Sequence, residues 1–205
     1  MVMAPVHGMD TFPEKSVILI EEDAGLAKTL YAEFIGAEAA ENGKVVRYFT
    51  TRSPEEVTSE MKQLRILPAK GFHTEELPAV SPRALLDHLT IPGNGDVLIV
   101  DQFALYFLDT SLSEFREALS RICAAAKTGR IFLLLVDRGV LPDRHEALVR
   151  AMADGVIQIT TVTEGDKLKR YLHIPKMHGA LFLEKMLPFT IGEEGFLIDT
   201  RERHG

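Results

Sequence analysis

The stretch Ser16 to Leu30, S-V-I-L-I-E-E-D-A-G-L-A-K-T-L, constrains the fold more than any other part of the chain. Its opening residues, Ser16 to Ile20, are mostly β-branched or apolar and predict a strand covered on both faces. A short loop then closes on Lys28-Thr29. From Thr29 to Asn42 the apolar residues Leu30, Tyr31, Phe34, Ile35, Ala37 and Ala39 recur at helical spacing, and Asn42-Gly43 ends the helix. Strand, loop, Lys-Thr and helix is the order in which backbone N–H groups and a helix N-terminus are presented to a polyphosphate. The motif G-x-x-x-x-G-K-[ST], laid over Glu22 to Thr29, is nevertheless broken at both glycines: Glu22 stands at the first and Ala27 at the second.

The rest of the chain organises itself around that unit. Lys44 to Thr50 predicts a second strand, and Ser53-Pro54-Glu55-Glu56 opens a helix with Ser as N-cap, Pro at the first helical position and Glu56 completing a capping box. Residues 65 to 82 are irregular and predict a loop or a short edge strand. Pro82 to Leu89 reads as a short helix after Ser81, and Pro92-Gly93-Asn94-Gly95 as a turn. Asp96 to Val100 and Arg130 to Val136 are apolar strands flanking a helix over Ser113 to Lys127. A helix over Asp143 to Ala153 and an Asp154-Gly155 turn lead to a strand over Val156 to Thr163. Glu164-Gly165-Asp166 then predicts a hairpin returning over Lys167 to Pro175, with two short strand-like pieces at 189–191 and 196–198. Alternating strands and helices followed by consecutive strands indicate an α/β fold with a mostly parallel sheet and an antiparallel extension at one edge. A chain of 205 residues with 46% hydrophobic residues suits one domain over 1–205, with 1–14 as a lead-in and 199–205 as a tail.

Composition narrows the function classes. The net charge of −7 argues against broad binding to nucleic acid or anionic membranes. Arg144, Arg150, Lys167, Lys169 and Arg170 could form only a local basic face. The single cysteine, Cys123, excludes an intrachain disulfide framework and any multi-cysteine metal site, and its helical surroundings predict a small buried apolar residue. No apolar run reaches the roughly 18 residues of a membrane span, and the N-terminal residues lack the pattern of a secretory signal. A cytoplasmic location is expected.

Four segments, in sequence order, resemble the KaiC-like branch of the RecA-type P-loop ATPases. They are V-I-L-I-x-x-x-x-G-L-A-K-T, with Gly25 on a glycine position of the family's G-x-P-G-x-G-K-T loop; G-K-V-V-R-Y-F-T-T-R-S-P-E-E-V; D-V-L-I-V-D at 96–101, similar to a Walker B strand; and A-D-G-V-I-Q-I followed by R-Y-L-H-I-P-K-M-H-G-A and P-F-T-I-G-E-E-G. The resemblance covers roughly 15–198 and implies a three-layer RecA-like fold that in relatives assembles into rings.

It also implies stations for chemistry. Gly25 and Lys28 would meet phosphate, Thr29 and Asp101 would hold Mg²⁺ beside ATP, and Lys176 of the K-M-H-G hairpin would reach a neighbouring subunit. Three stations depart from the family. The loop has lost the glycines at positions 22 and 27 and gained the carboxylates Glu21, Glu22 and Asp23, which would repel a polyanion. The place of the catalytic glutamate pair reads Thr50-Thr51-Arg52, and neither threonine nor arginine can act as a base there. His178 replaces the hairpin arginine that would stabilise transition-state charge. Glu55 and Glu56 are expected to act as caps, His173 and His178 as surface groups. No residue is assigned as catalytic. The expectation is an ATPase-family domain that has lost hydrolysis and needs no cofactor, acting as a regulatory or protein-interaction module, self-association included. The alternatives are a slow ATPase that binds ATP and Mg²⁺ through Lys28, Thr29 and Asp101, and a receiver-type signalling domain suggested by I-L-I-E-E-D.

Overall fold

The computed structural model describes residues 12–77, 81–165, 167–179, 186–192 and 195–198. Its elements are β1 (Val17–Glu22), α1 (Ala27–Glu41), β2 (Val46–Thr50), α2 (Pro54–Gln63), β3 (Phe72–Glu76), α3 (Pro82–Leu89), β4 (Val97–Val100), α4 (Leu112–Ala126), β5 (Ile131–Asp137), α5 (Asp143–Met152), β6 (Gly155–Glu164), β7 (Lys167–Met177), β8 (Leu187–Gly192) and β9 (Gly195–Ile198). A short 3-10 helix, Phe103–Phe107, follows β4. The strands form one sheet in the order β3-β2-β4-β5-β1-β6-β7-β8-β9. Pairing is parallel from β3 through β6 and antiparallel from β6 to β9. This is the expected α/β architecture, and it overturns the receiver alternative, whose strand order is 2-1-3-4-5.

Side chains alternate across each strand, so the sheet carries two apolar layers. Ile18 and Ile20 of β1, with Tyr48, Ile99, Leu133, Leu135 and Ile157, pack under α1 and α2. Val17 and Leu19, with Phe49, Leu98, Val100, Phe132, Leu134 and Val136, pack under the 3-10 helix and α3 to α5. Gly36 lets α1 lie close on the sheet: a Cβ there would come within 2.8 Å of Ile99 and Phe72. The antiparallel strands fold back on the α1 layer, where Phe196 meets Tyr31 at 4.9 Å between ring centroids.

Local sequence accounts for most element ends. Ser53 and Glu56 form the expected capping box on α2. Helix α4 starts earlier than its periodicity suggests, because Ser111, not Ser113, is the N-cap and closes a second capping box with Glu114. Replacing Ser111 by Ala should lower stability by about 1 kcal/mol in urea denaturation, through loss of one satisfied helix N–H. Asp154-Gly155 is not a free-standing turn: Gly155 already pairs with Ile18 and Met177 as the first residue of β6. The hairpin return runs on to Met177, beyond Pro175. The irregular stretch after α2 does supply an edge strand, β3. Cys123 is half-buried rather than buried, and burial pushes its thiol pKa up.

Candidate functional site

Parallel strands in an open α/β sheet deliver side chains to the crevice beyond their carboxyl ends. Here those ends bring together Glu22 of β1, Thr50 of β2, Asp101 after β4 and Asp137 of β5, beside the N-terminus of α1. The pattern of β1 sorts its two terminal carboxylates. Glu22 shares the face of Ile18 and Ile20 and turns toward α1. Glu21 shares the opposite face and turns toward α5, where it accepts from Arg150 Nε at 2.8 Å and from Gln158 Nε2 at 2.7 Å.

The loop between β1 and α1 is closed by its own residues. Glu22 is 4% exposed and its Oε2 accepts the backbone N–H of Lys28 at 3.0 Å. Burial raises the Glu22 pKa above its ordinary value, although the N–H and the charge of Lys28 pull the other way. Helix α1 has Leu26 at its N-cap with no side-chain cap of its own, so Glu22 satisfies part of the first turn. Lys28 Nζ donates to Asp137 Oδ1 at 2.7 Å and to the Gly25 carbonyl at 2.9 Å. Of the three carboxylates expected to crowd the loop, only Glu22 does so. Glu21 lies on the other face, and Asp23 is exposed, with its Oδ1 3.0 Å from Arg138 Nε.

The second half of the site centres on Arg52. Its Nη2 donates to Glu33 Oε1 at 2.9 Å, Tyr48 OH at 2.9 Å and Asp101 Oδ2 at 3.4 Å, and its Nη1 donates to Glu60. Asp101 also accepts from Thr29 Oγ1 at 3.4 Å and from Thr50 Oγ1 at 3.2 Å. Burial alone would lower the Arg52 pKa, but Tyr48, Asp101 and Glu33 hold the guanidinium firmly charged. Glu33 is fully buried and its second oxygen has no hydrogen-bond partner among the described residues. Burial pushes its pKa up to about 7 against the pull of Arg52. Gln102, directly after Asp101, is held at φ 52° and its side-chain oxygen accepts from Thr51 Oγ1 at 2.7 Å. That left-handed backbone in a non-glycine residue costs about 1–3 kcal/mol and marks the end of β4 as a constrained corner.

The hairpin residues lie apart from this site. Lys176 Nζ donates to the carbonyls of Arg150 and Ala151, where it caps the C-terminal end of α5. His178 is exposed, with Nδ1 3.9 Å from Asp154 Oδ1. His173 is partly buried and lies 3.3 Å from the Gln158 side-chain oxygen, so it is not a free surface group. Arg150 is engaged by Glu21 and Glu146, which removes it from the expected basic face. Among the described residues, no cluster of three or more His, Cys, Asp or Glu side chains is placed to hold a metal ion.

Gly25, Lys28, Thr29 and Asp101 are therefore brought together as the motif spacing expects. Two further participants, Asp137 and Glu33, escape sequence reading. Asp137 carried a signal, since it ends an apolar strand just as Asp101 does. Glu33 carried one too: it lies one helical turn after Thr29 and faces the same side.

The pattern of matching over almost the whole chain decides the family, since the family of unknown function DUF7125 matches residues 12–204. The chain belongs to DUF7125. A search of curated protein sequences finds no match. Among solved structures, this DUF7125 chain is similar to flagellar accessory protein FlaH from Methanocaldococcus jannaschii, with TM-score 0.80 and 17% identity over 92% of this chain and 91% of that one. It is also similar to the KaiC-like protein PH0186 from Pyrococcus horikoshii OT3, with TM-score 0.75 and 21% identity over 92% and 91% of the two chains. The fold is thus RecA-type and KaiC-like. Among the described residues no helix is long and apolar enough to cross a membrane.

Proposed function

We propose that this DUF7125 chain is a cytoplasmic RecA/KaiC-like module that does not hydrolyse ATP and works by binding a protein partner or further copies of itself. The observation that carries the reading is the state of the corner after β2, where a water-activating base is required. Thr50 donates to Asp101, Thr51 donates to Gln102, and Arg52 is bound by carboxylates on α1 and α2. None of these groups can take a proton from water. The carboxylates at the corner, Glu33, Glu60 and Asp101, are all engaged by Arg52. Apolar side chains exposed away from the site support an interaction role, among them Leu168 and Val162 on the long hairpin.

A slow ATPase remains the second reading, because Lys28, Thr29 and Asp101 stay adjacent. Phosphate release from ATP·Mg²⁺ separates the two. The expected rate for the unaltered protein equals that of Lys28→Ala, both at the no-protein background. Release above background that Lys28→Ala abolishes would establish the ATPase.

A further inference from the structure

A P-loop holds an anion with the N–H groups at a helix N-terminus, and a divalent cation with the loop hydroxyl and a strand-end aspartate. In this chain both positions are met by its own side chains. The Glu22 carboxylate accepts the Lys28 N–H at 3.0 Å. It also fills the concave side of the loop, because a Cβ built on Gly25 would stand 2.7 Å from Glu22 Oε1. At the other position, Asp101 takes the Thr29 hydroxyl on Oδ1 and the Arg52 guanidinium on Oδ2, each at 3.4 Å. ATP·Mg²⁺ does not fit these residues as they stand. A phosphate must first displace a buried carboxylate, and a metal ion must displace a guanidinium that Glu33, Glu60 and Tyr48 also hold.

We propose that Glu22 and Arg52 are built-in ligands, Glu22 standing in for a phosphate and Arg52 for its cation, so that the domain keeps its filled-site form with no nucleotide bound. The inference rests on the reading of a non-hydrolysing module and extends it to regulation: any surface that depends on a filled site is then presented constitutively. The arrangement follows from the chain's own patterning. Strand alternation points Glu22 into the loop, and the residue after Thr51 swings from β2 toward α1. Charge agrees with it. Lys28, the cation a phosphate would call on, is already neutralised by Asp137 at 2.7 Å.

Magnesium pyrophosphate is the probe, followed by calorimetric titration and thermal melting of the full chain. The unaltered protein is expected to show no binding and no shift in melting midpoint. Glu22→Gly empties the loop and is expected to bind at least about tenfold more tightly than the unaltered protein. Glu22→Gln keeps an acceptor for the Lys28 N–H while removing the charge, so it guards against a folding defect and is expected to fall between the two. Arg52→Gln is expected to gain a Mg²⁺-dependent rise in melting midpoint that the unaltered protein lacks. Folded Glu22 variants that bind no better than the unaltered protein would overturn the proposal, as would an unaltered protein that binds as tightly as Glu22→Gly. ATP hydrolysis by the unaltered protein would instead sink the non-hydrolysing reading, whatever the pyrophosphate titrations give.

Discussion

Replacing Arg52 with Met should lower the unfolding free energy by about 3–5 kcal/mol, the cost of removing one partner from a buried ionic cluster. Four acceptors lose a donor at once: Glu33, Glu60, Asp101 and the Tyr48 hydroxyl. Glu33 has the most to lose, since it is fully buried and Arg52 is the partner of its one satisfied oxygen. Urea denaturation at neutral pH measures the effect. The double variant Arg52→Met/Glu33→Gln should recover more than half of the loss, because the buried acid left without its donor is gone. A single variant within about 1 kcal/mol of the unaltered protein would show that the cluster stabilises little.

Stability should also fall as pH rises from about 4.5 toward 7, and Glu33 should be the reason. Its pKa is 4.5 in an ordinary setting and about 7 in the folded chain, raised by burial despite Arg52. Between those values the folded state binds a proton that the unfolded state releases. The stabilisation from that proton is fully present below the lower value and is lost as pH passes the upper one. The shift corresponds to about 3 kcal/mol at most. The groups facing Glu33 are Arg52, Glu60 and Asp101, so its titration is read as a difference. Glu33→Gln removes the titrating group, and subtracting its pH–stability curve from that of the unaltered protein isolates the slope. A flat difference, or one rising with pH, would contradict the assignment.

Both predictions depend on contacts that join distant parts of the chain. Arg52 stands where a base is needed and cannot serve as one. What it does instead, gathering Glu33, Glu60, Tyr48 and Asp101, needed three dimensions, because its partners come from α1, α2, β2 and the end of β4. Lys28 shows the same limit. Its ammonium reaches Asp137, which lies far along the chain and beside β1 only because β5 pairs with it.

By itself, the sequence determined the lineage of the fold and the order of its parts. Continuous apolar strands, helical periodicity, capping boxes and turn glycines are local signals, and each is set by the few residues around it. The broken glycines of the loop were equally plain. Only the tertiary structure decided where the carboxylates of S-V-I-L-I-E-E-D-A-G-L-A-K-T-L point. Strand alternation turns Glu21 to α5 and Glu22 into the loop, where it takes the Lys28 N–H, while Asp23 stays in solvent beside Arg138. A contact between distant strand ends is fixed by pairing register and packing across the sheet, and no window of sequence carries that information.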